Sequence, residues 1–517
     1  CGAVAGFHVW RGRWFPCVAR SLVSMCGNGI PMIRSGRVRA MSSADKASQA
    51  SPSQRASEAK STPWRVPLIV YLACAVVYVG TAGPRLMGPT PDNHFVHLAL
   101  SFLHGQLGVL DNHPAGTNDW ACYDDVAHDI CDSGAWPPPW GRGPNEHEHW
   151  YISFPPVPAL VILPAAAIWG TDTRDALFWS LFAALSPTFV FILLRSLRER
   201  GHSTRTQTDD LLLTFLYAFG TVFFFVAVNG SVWFAGHVVG SVLLPLFLLF
   251  SLDSRSPLLA GLLMGLLFLT RPSSLYLTVI PLVEMLRMSR APDAIETLEE
   301  RSAFARLGGW LRSVVFRDAL KRVALFALPI LVIGGLAMAM NAARFERPTE
   351  FGHRFLMIGW RGRIETWGLF NYHYLPKNLA IFTSSLPWLT ANDPHVLISR
   401  HGLALWFTTP ALLLVFFPKT RLTATMRALM FGAAFVCVMD LAYQNSGWVQ
   451  FGYRFACDYM VVLIALIAMG GRKLRGPGFI TALLFAIAVN TFGAITFDRL
   501  YQFYDDDHTQ ERVFQPD

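Results

Sequence analysis

The chain has 517 residues, 53% of them drawn from AVILMFWYC and only 15% charged, where a soluble protein averages about 25% charged. Length alone would allow about three soluble domains, yet apolar blocks recur from residue 66 to residue 495. That pattern excludes a soluble multidomain enzyme, a disulfide-rich secreted module and a disordered scaffold, and it reads the net +8 as membrane-loop charge rather than a nucleic-acid footprint.

Residue 1 is Cys, and residues 1–40 carry Arg11, Arg13, Arg20, Arg34, Arg37 and Arg39 with no acid and no run able to span a bilayer. Met41 opens the polar stretch MSSADKASQASPSQRASEAKSTP, too poor in apolar residues to form a core. Residues 1–62 are expected to be an N-terminal extension outside the fold, with Met41 a candidate start; an Arg-rich targeting peptide is the other reading of 1–40. The fold is expected over 63–498, followed by a short polar tail, 499–517.

A helix crossing the ~30 Å hydrocarbon layer needs about 20 apolar residues. The candidate segments are 66–86, 153–169, 176–194, 211–228, 237–251, 257–269, 273–288, 323–340, 401–417, 427–443, 455–470 and 477–495. The expected fold is an all-α integral membrane helix bundle of about 11–12 apolar segments, several short or interrupted by Pro or Gly. Gly236/Gly240 and Gly261/Gly265 are small-xxx-small pairs of the kind that let helix backbones approach closely in lipid.

Lys and Arg crowd cytoplasmic loops. The stretches RSLRERGHSTR (195–205), PKTRLTATMR (418–427) and GGRKLR (470–475) are basic. So is 289–322, whose Phe304, Leu307, Leu311, Val314 and Val315 recur at helical spacing and suit an amphipathic surface helix. Residues 87–152 hold one basic residue, Arg142, and nine acids, and should face outside. A full crossing by 153–169 would put the basic 195–205 outside too. The run FPPVPALVILP has four Pro in 11 residues, so a partial or broken span is expected there. Two sizeable loops, 87–152 and 341–400, then lie on the outer face and should carry juxtamembrane helices; 229–236, 444–454 and the C-terminus join them.

Two outer loops of this size suggest a site at the outer surface. Asp92 opens the amphipathic stretch that follows the first span, where an Asp is commonly a helix N-cap. The first loop also holds Asp119, Asp124, Asp125, His128, Asp129, Asp132, Glu146, His147, Glu148 and His149. His147-x-His149 can put two imidazoles on one side of an extended segment, but no His pair or Cys–His cluster fixes a metal geometry, and no metal site is assigned. Cys122 and Cys131, nine residues apart, are the only Cys of the outer loops and can pair in an oxidising compartment. Asn229-Gly230-Ser231 is a nominal glycosylation acceptor that hugs the membrane. Arg271, Asp440 and Asp458 fall near membrane depth, where charge must be paired or face a cavity. Asp458 follows Arg454 by four, so an ion pair between them is expected. His237 begins a span at the outer side, as a substrate contact or a packed, hydrogen-bonded core residue.

The order of Asp92 after the first span, YISFPPVPALVILP (151–164), GLLMGLLFLTRPSSL (261–275), MNAARFERPTEFGHRF (340–355) and GWVQFGYRFACDYMVVL (447–463) resembles the GT-C integral-membrane glycosyltransferases. That superfamily includes the polyprenyl- or dolichyl-phosphate-sugar-dependent protein O-mannosyltransferases and the aminoarabinose transferases of lipid A. The resemblance covers about residues 66–495 and is greatest to bacterial multi-span members. It implies a sugar carried on a polyprenyl phosphate, transferred with inversion to a hydroxyl of a lipid, glycan or protein acceptor. Chemistry would occur at the outer, periplasmic face of the inner membrane. Asp92 matches by position the family's catalytic base, although Pro91 and Asn93 stand where family members often carry a second acid.

A base near the attacking hydroxyl typically contributes ~10²–10⁴-fold. A lipid phosphate leaving group needs guanidinium donors or a bound divalent metal, so a divalent ion is the one cofactor to consider. Arg361, Arg363 and Arg454 are the leading phosphate candidates, followed by Arg354, Lys377, Arg271 and His237. No G-x-G-x-x-G follows a strand, which disfavours a nucleotide-sugar donor. A polytopic transporter or flippase of a lipid-linked or small solute is the alternative, with Arg271, Asp440 and Asp458 as its pathway.

Overall fold

The computed structural model describes residues 64–110, 118–131, 147–291 and 303–504, the side chains of 303–307 excepted. The extension 1–62, the tail beyond 504, Asp132, Glu146 and the side chains of Phe304 and Leu307 lie outside the described residues.

Helix α1 (Arg65–Ala82) is followed by α2 (His94–Leu103) and the strands β1 (Trp120–Asp124), β2 (Asp129–Ile130) and β3 (Glu148–Ile152). Next come α3 (Val157–Trp169), α4 (Asp175–Ala183), α5 (Leu185–Glu199), α6 (Gln207–Phe219), α7 (Phe223–Ala227), α8 (Val232–Ser251) and α9 (Pro257–Phe268). They lead to α10 (Val279–Met288), α11 (Ala303–Arg312), α12 (Phe316–Phe345), α13 (Arg361–Trp367) and α14 (Leu375–Ser384). A short hairpin, β4 (Trp388–Leu389) with β5 (Val396–Leu397), precedes α15 (Leu405–Thr408), α16 (Ala424–Leu441), α17 (Cys457–Met469) and α18 (Pro477–Thr496).

The protein is a polytopic membrane helix bundle. Six described helices are long and apolar enough to cross a membrane: Arg65–Leu86, Asp175–Glu199, Val232–Ser254, Phe316–Phe345, Ala424–Leu441 and Pro477–Thr496. The other apolar segments are shorter or broken. Segment 211–228 divides at Gly220 into α6 and α7, and 401–417 becomes the four-residue α15 plus a 3-10 turn, Pro410–Phe416. Pro410 at the start of that turn has no N–H with which to continue a helix. The core surrounds α17, which is buried along its whole length, and α8; α12 packs at the periphery, most of its apolar stretch left uncovered by the rest of the chain.

The Gly261/Gly265 pair does what its spacing predicts. A Cβ on Gly261 would stand 2.0 Å from the Phe326 carbonyl oxygen, and one on Gly265 would stand 2.6 Å from Ile333. Only glycine lets α9 pack this closely on α12. The Gly236/Gly240 pair has another use: a Cβ on Gly240 would lie 3.3 Å from Arg271 Cγ, so the notch admits a side chain rather than only a helix backbone.

The basic stretches gather at one end of the bundle. Arg205 donates from Nε to the Ala468 carbonyl (3.0 Å) and from Nη2 to that of Ile467 (2.8 Å), satisfying C-terminal carbonyls of α17. The Lys419 N–H donates to the Gly470 carbonyl at 2.7 Å. Arg200 lies 3.5 Å from Asp253, and Arg322 donates to the Ser254 hydroxyl at 3.0 Å.

Within 153–169 the helical part is α3 alone. Its 13 residues span about 20 Å, short of the bilayer core. Both flanks are tied near Asp92: Ile152 pairs with Trp120 in the sheet beside α2, and Asp175 accepts the Thr90 N–H at 2.9 Å. The helix packs on α2.

The two long loops, 87–152 and 341–400, carry the expected short helices α2, α13 and α14. They also carry a three-stranded antiparallel sheet, ordered β2-β1-β3, that composition did not announce. Cys122 on β1 is joined to Cys131 just beyond β2, with Cα atoms 5.5 Å apart. The bond staples a hairpin too short to hold itself.

Candidate active site

The turn Thr90–Asn93 is held from two sides. Thr90 donates to Asp175, and the Asp92 carbonyl accepts the Val232 N–H at 2.9 Å. Asp92 is not the cap of α2: Asn93 occupies that position, and no side-chain hydrogen bond caps the helix. The Asp92 carboxyl is instead half-buried. Burial pushes its pKa up to about 6, and the neighbouring charges of Asp119, Asp498 and Asp175 add to the rise.

Asp119 makes a further link to the bundle. Its backbone takes a positive φ of 67°, and its Oδ2 accepts the Trp233 indole N–H at 2.6 Å. Burial raises its pKa, while the Trp233 hydrogen bond and the charge of Arg454 pull it down. Trp233 and Val232 both belong to the first turn of α8, so that turn holds the Asp92 backbone and the Asp119 side chain together.

Arg454 lies in a 3-10 turn, Arg454–Ala456, immediately before α17. Its guanidinium sits 5.0 Å over Phe234 and 5.6 Å from the Phe455 ring centre, and Nη1 donates to the Val449 carbonyl at 2.8 Å. Nε is buried with no hydrogen-bond partner among the described residues. A buried guanidinium with a spare donor is costly unless a ligand completes it.

Deeper in the bundle, Asp458 accepts from Arg271 Nε (2.9 Å), and Arg271 Nη2 lies 2.8 Å from it. His237 Nδ1 is 3.1 Å away and the Ser273 hydroxyl donates at 3.0 Å. The expected Arg454–Asp458 pair is therefore not made. The i,i+4 argument needs one continuous helix, and α17 begins only at Cys457. His237 is hydrogen-bonded core, with Nε2 left unpartnered among the described residues. Asp440 is buried nearby, also with one oxygen unpartnered.

The cations of the second loop are arranged differently. Arg361 pairs with Glu365 inside α13 (2.7 Å), and Arg354 approaches Asp129 on the exposed sheet (3.8 Å). Arg363 leans on the Gln444 carbonyl (3.4 Å), and Lys377 is half-buried on α14. Of the phosphate candidates, Arg454, Arg271 and His237 thus join the α8–α17 cluster, while Arg354 and Arg361 are paired locally. His149 on β3 and His147 just before it both face Asp125 (3.1 and 3.3 Å), and His128 meets Glu346 at 2.8 Å. Among the described residues no group of three or more His, Cys, Asp or Glu is placed to hold a metal ion. Sequence reasoning missed Trp233 and Asp175. A Trp at a span end and an Asp opening a helix are both commonplace, and only the fold brings them to Asp92.

The fold and this cluster define an integral membrane protein with a polar site at one end of its helix bundle. No family model matches the chain, and no curated protein matches it. Among solved structures, the apo oligosaccharyltransferase of Archaeoglobus fulgidus is similar at TM-score 0.38 and 13% identity, over 85% of this chain and 56% of that one. The oligosaccharyltransferase AglB of the same organism, in complex with an inhibitory peptide and a dolichol-phosphate, gives TM-score 0.38 and 13% identity over 84% and 56%. The chain spans little more than half the length of these structures, and a likeness at that score carries no weight for function.

Proposed function

We propose that the protein is a GT-C-type glycosyltransferase that moves a sugar from a polyprenyl-phosphate carrier to a hydroxyl acceptor at the outer membrane face. The observation that carries this reading is the half-buried Asp92 carboxyl, pushed up to about 6, clamped beside Asp119 and next to the turn of α8 that also packs Arg454. The sequence patches that resemble the GT-C superfamily supply the choice of chemistry.

In this scheme the acceptor hydroxyl gives its proton to Asp92 as its oxygen attacks the anomeric carbon. A base with a pKa near the working pH combines ionisation with a real affinity for the proton. The bond to the carrier phosphate breaks from the opposite side, giving inversion, and the departing oxygen takes hydrogen bonds from Arg454. Charge-assisted donors of this kind are strongest where water is excluded.

The transporter alternative rests on intramembrane charges, yet Arg271, His237 and Ser273 all converge on Asp458. With a counter-charge and two further polar partners in place, Asp458 is satisfied as a buried ion pair, whose loss would be felt in stability. The deciding experiment is transfer from radiolabelled polyprenyl-phosphate sugars into membranes, wild type against Asp92→Asn. Transfer that depends on Asp92 supports the proposal; equal transfer by both proteins overturns it.

A further inference from the structure

At the end of the bundle where the basic stretches meet, a groove of about 460 Å³ opens between the 3-10 turn Pro410–Phe416 and the start of α18. Its wall is apolar, with Pro410, Ala411, Leu414, Phe479 and Ala482, and its rim carries Lys419, Arg472 and Lys473. Gly476 and Gly478 complete the lining, and a Cβ on either would meet nothing within 4 Å, so the mouth is open. No carboxylate lines it. Lys419 and Lys473 are exposed and form no ion pair among the described residues, while Arg472 Nε donates to the Phe417 carbonyl.

Three like charges around one groove repel one another unless an anion sits between them. A small anion would relieve the rim but leave the apolar wall wet, which costs free energy in proportion to the exposed area. A molecule with an anionic head and a hydrocarbon tail satisfies both. We propose that this groove binds an anionic phospholipid of the surrounding bilayer, its phosphate at Lys419, Arg472 and Lys473 and one acyl chain along Leu414, Phe479 and Ala482. Basic pockets between membrane helices recognise anionic headgroups in this way.

The site is separate from the proposed active site. Helix α18 has 20 residues and is about 30 Å long. The groove lies at its first turns, while Asp498, just beyond its last turn, is close enough to raise the pKa of Asp92. One end of the helix is lipid-binding and the other catalytic.

The test is native mass spectrometry of the full chain released from micelles containing phosphatidylglycerol or phosphatidylcholine. Wild type should retain one phosphatidylglycerol and no phosphatidylcholine. Lys419→Gln/Lys473→Gln should weaken that retention about 25-fold, at roughly fivefold for each lysine. Ala482→Phe, which fills the groove and keeps the charge, should lose it as well, and Arg317→Gln/Lys321→Gln should retain it. Equal retention by all variants, equal retention of phosphatidylcholine, or displacement by millimolar inorganic phosphate alone would overturn the proposal.

Discussion

Replacing Asp92 by Asn should make the protein inactive and more stable at once. The rise from 3.8 to about 6 means that the folded protein disfavours the ionised carboxylate. At about 1.36 kcal/mol for each pH unit, this is worth ~3 kcal/mol, and screening of a half-buried group reduces it to about 1–2 kcal/mol. Because the folded value lies above the unfolded one, stability is greatest below pH 4, falls as the pH rises to about 6, and is level beyond. Asn cannot ionise, so Asp92→Asn should gain that 1–2 kcal/mol at pH 7.5 and lose the advantage by pH 4. Thermal unfolding of the purified protein in detergent at the two pH values measures the difference, with transfer assayed on the same preparations. An Asn variant less stable at pH 7.5 would show that the carboxylate is held by favourable partners. A gain equal at both pH values would show that ionisation is not its source. Either result removes the physical basis for Asp92 as a base.

For wild type, kcat/KM should fall about tenfold for each pH unit below about 6, as Asp92 takes up its proton; a rate flat from pH 5 to 7 would contradict the assignment. Arg454→Gln should reduce transfer more than donor binding, since the guanidinium is asked to stabilise charge that grows as the phosphate departs; an unchanged kcat would place Arg454 outside the reaction. Asp458→Asn leaves Arg271 without its counter-charge and should cost about 3–5 kcal/mol in detergent melts, whereas loss below about 1 kcal/mol would mean the pair is already solvated. Gly261→Ala must push α9 off α12, with a Cβ 2.0 Å from the Phe326 carbonyl, and should cost about 1–3 kcal/mol. Gly334→Ala, with nothing within 4 Å, should be neutral or stabilising.

Much of the bundle was legible because membranes impose simple rules. Long apolar runs declared the spans around α1, α8, α12, α16 and α18, and the Gly261-xxx-Gly265 spacing declared the α9–α12 seam. Runs such as 211–228 and 401–417 were misleading because hydropathy records which solvent a segment prefers, not whether its backbone is one helix. A break at Gly220 or Pro410 leaves composition untouched while the freed backbone groups are satisfied by neighbours, such as Thr409, whose hydroxyl donates to the Gly220 carbonyl at 2.8 Å. The sheet escaped for a related reason: strands of two and five residues carry too little periodicity to register.

The candidate site was legible one residue at a time but not as a constellation. Arg454, Arg271 and His237 stand out by residue type and position, Asp119 only as one of many possible ligands of the first loop, and Asp92 as a base only through the GT-C resemblance. The assignment of partners failed where it leaned on sequence proximity. Arg454 and Asp458 are four apart, yet Asp458 belongs to Arg271, 187 residues away, and to His237, 221 away. Charge at membrane depth explains why. An intramembrane carboxylate takes whichever donor the packing delivers without water, and an Arg lying across the Gly236/Gly240 notch of α8 is already desolvated on one side. Arg454, denied that carboxylate by the turn before α17, retains a buried Nε with no protein partner among the described residues. The same break that defeats the i,i+4 rule thus leaves a buried guanidinium with one donor unused among the described residues.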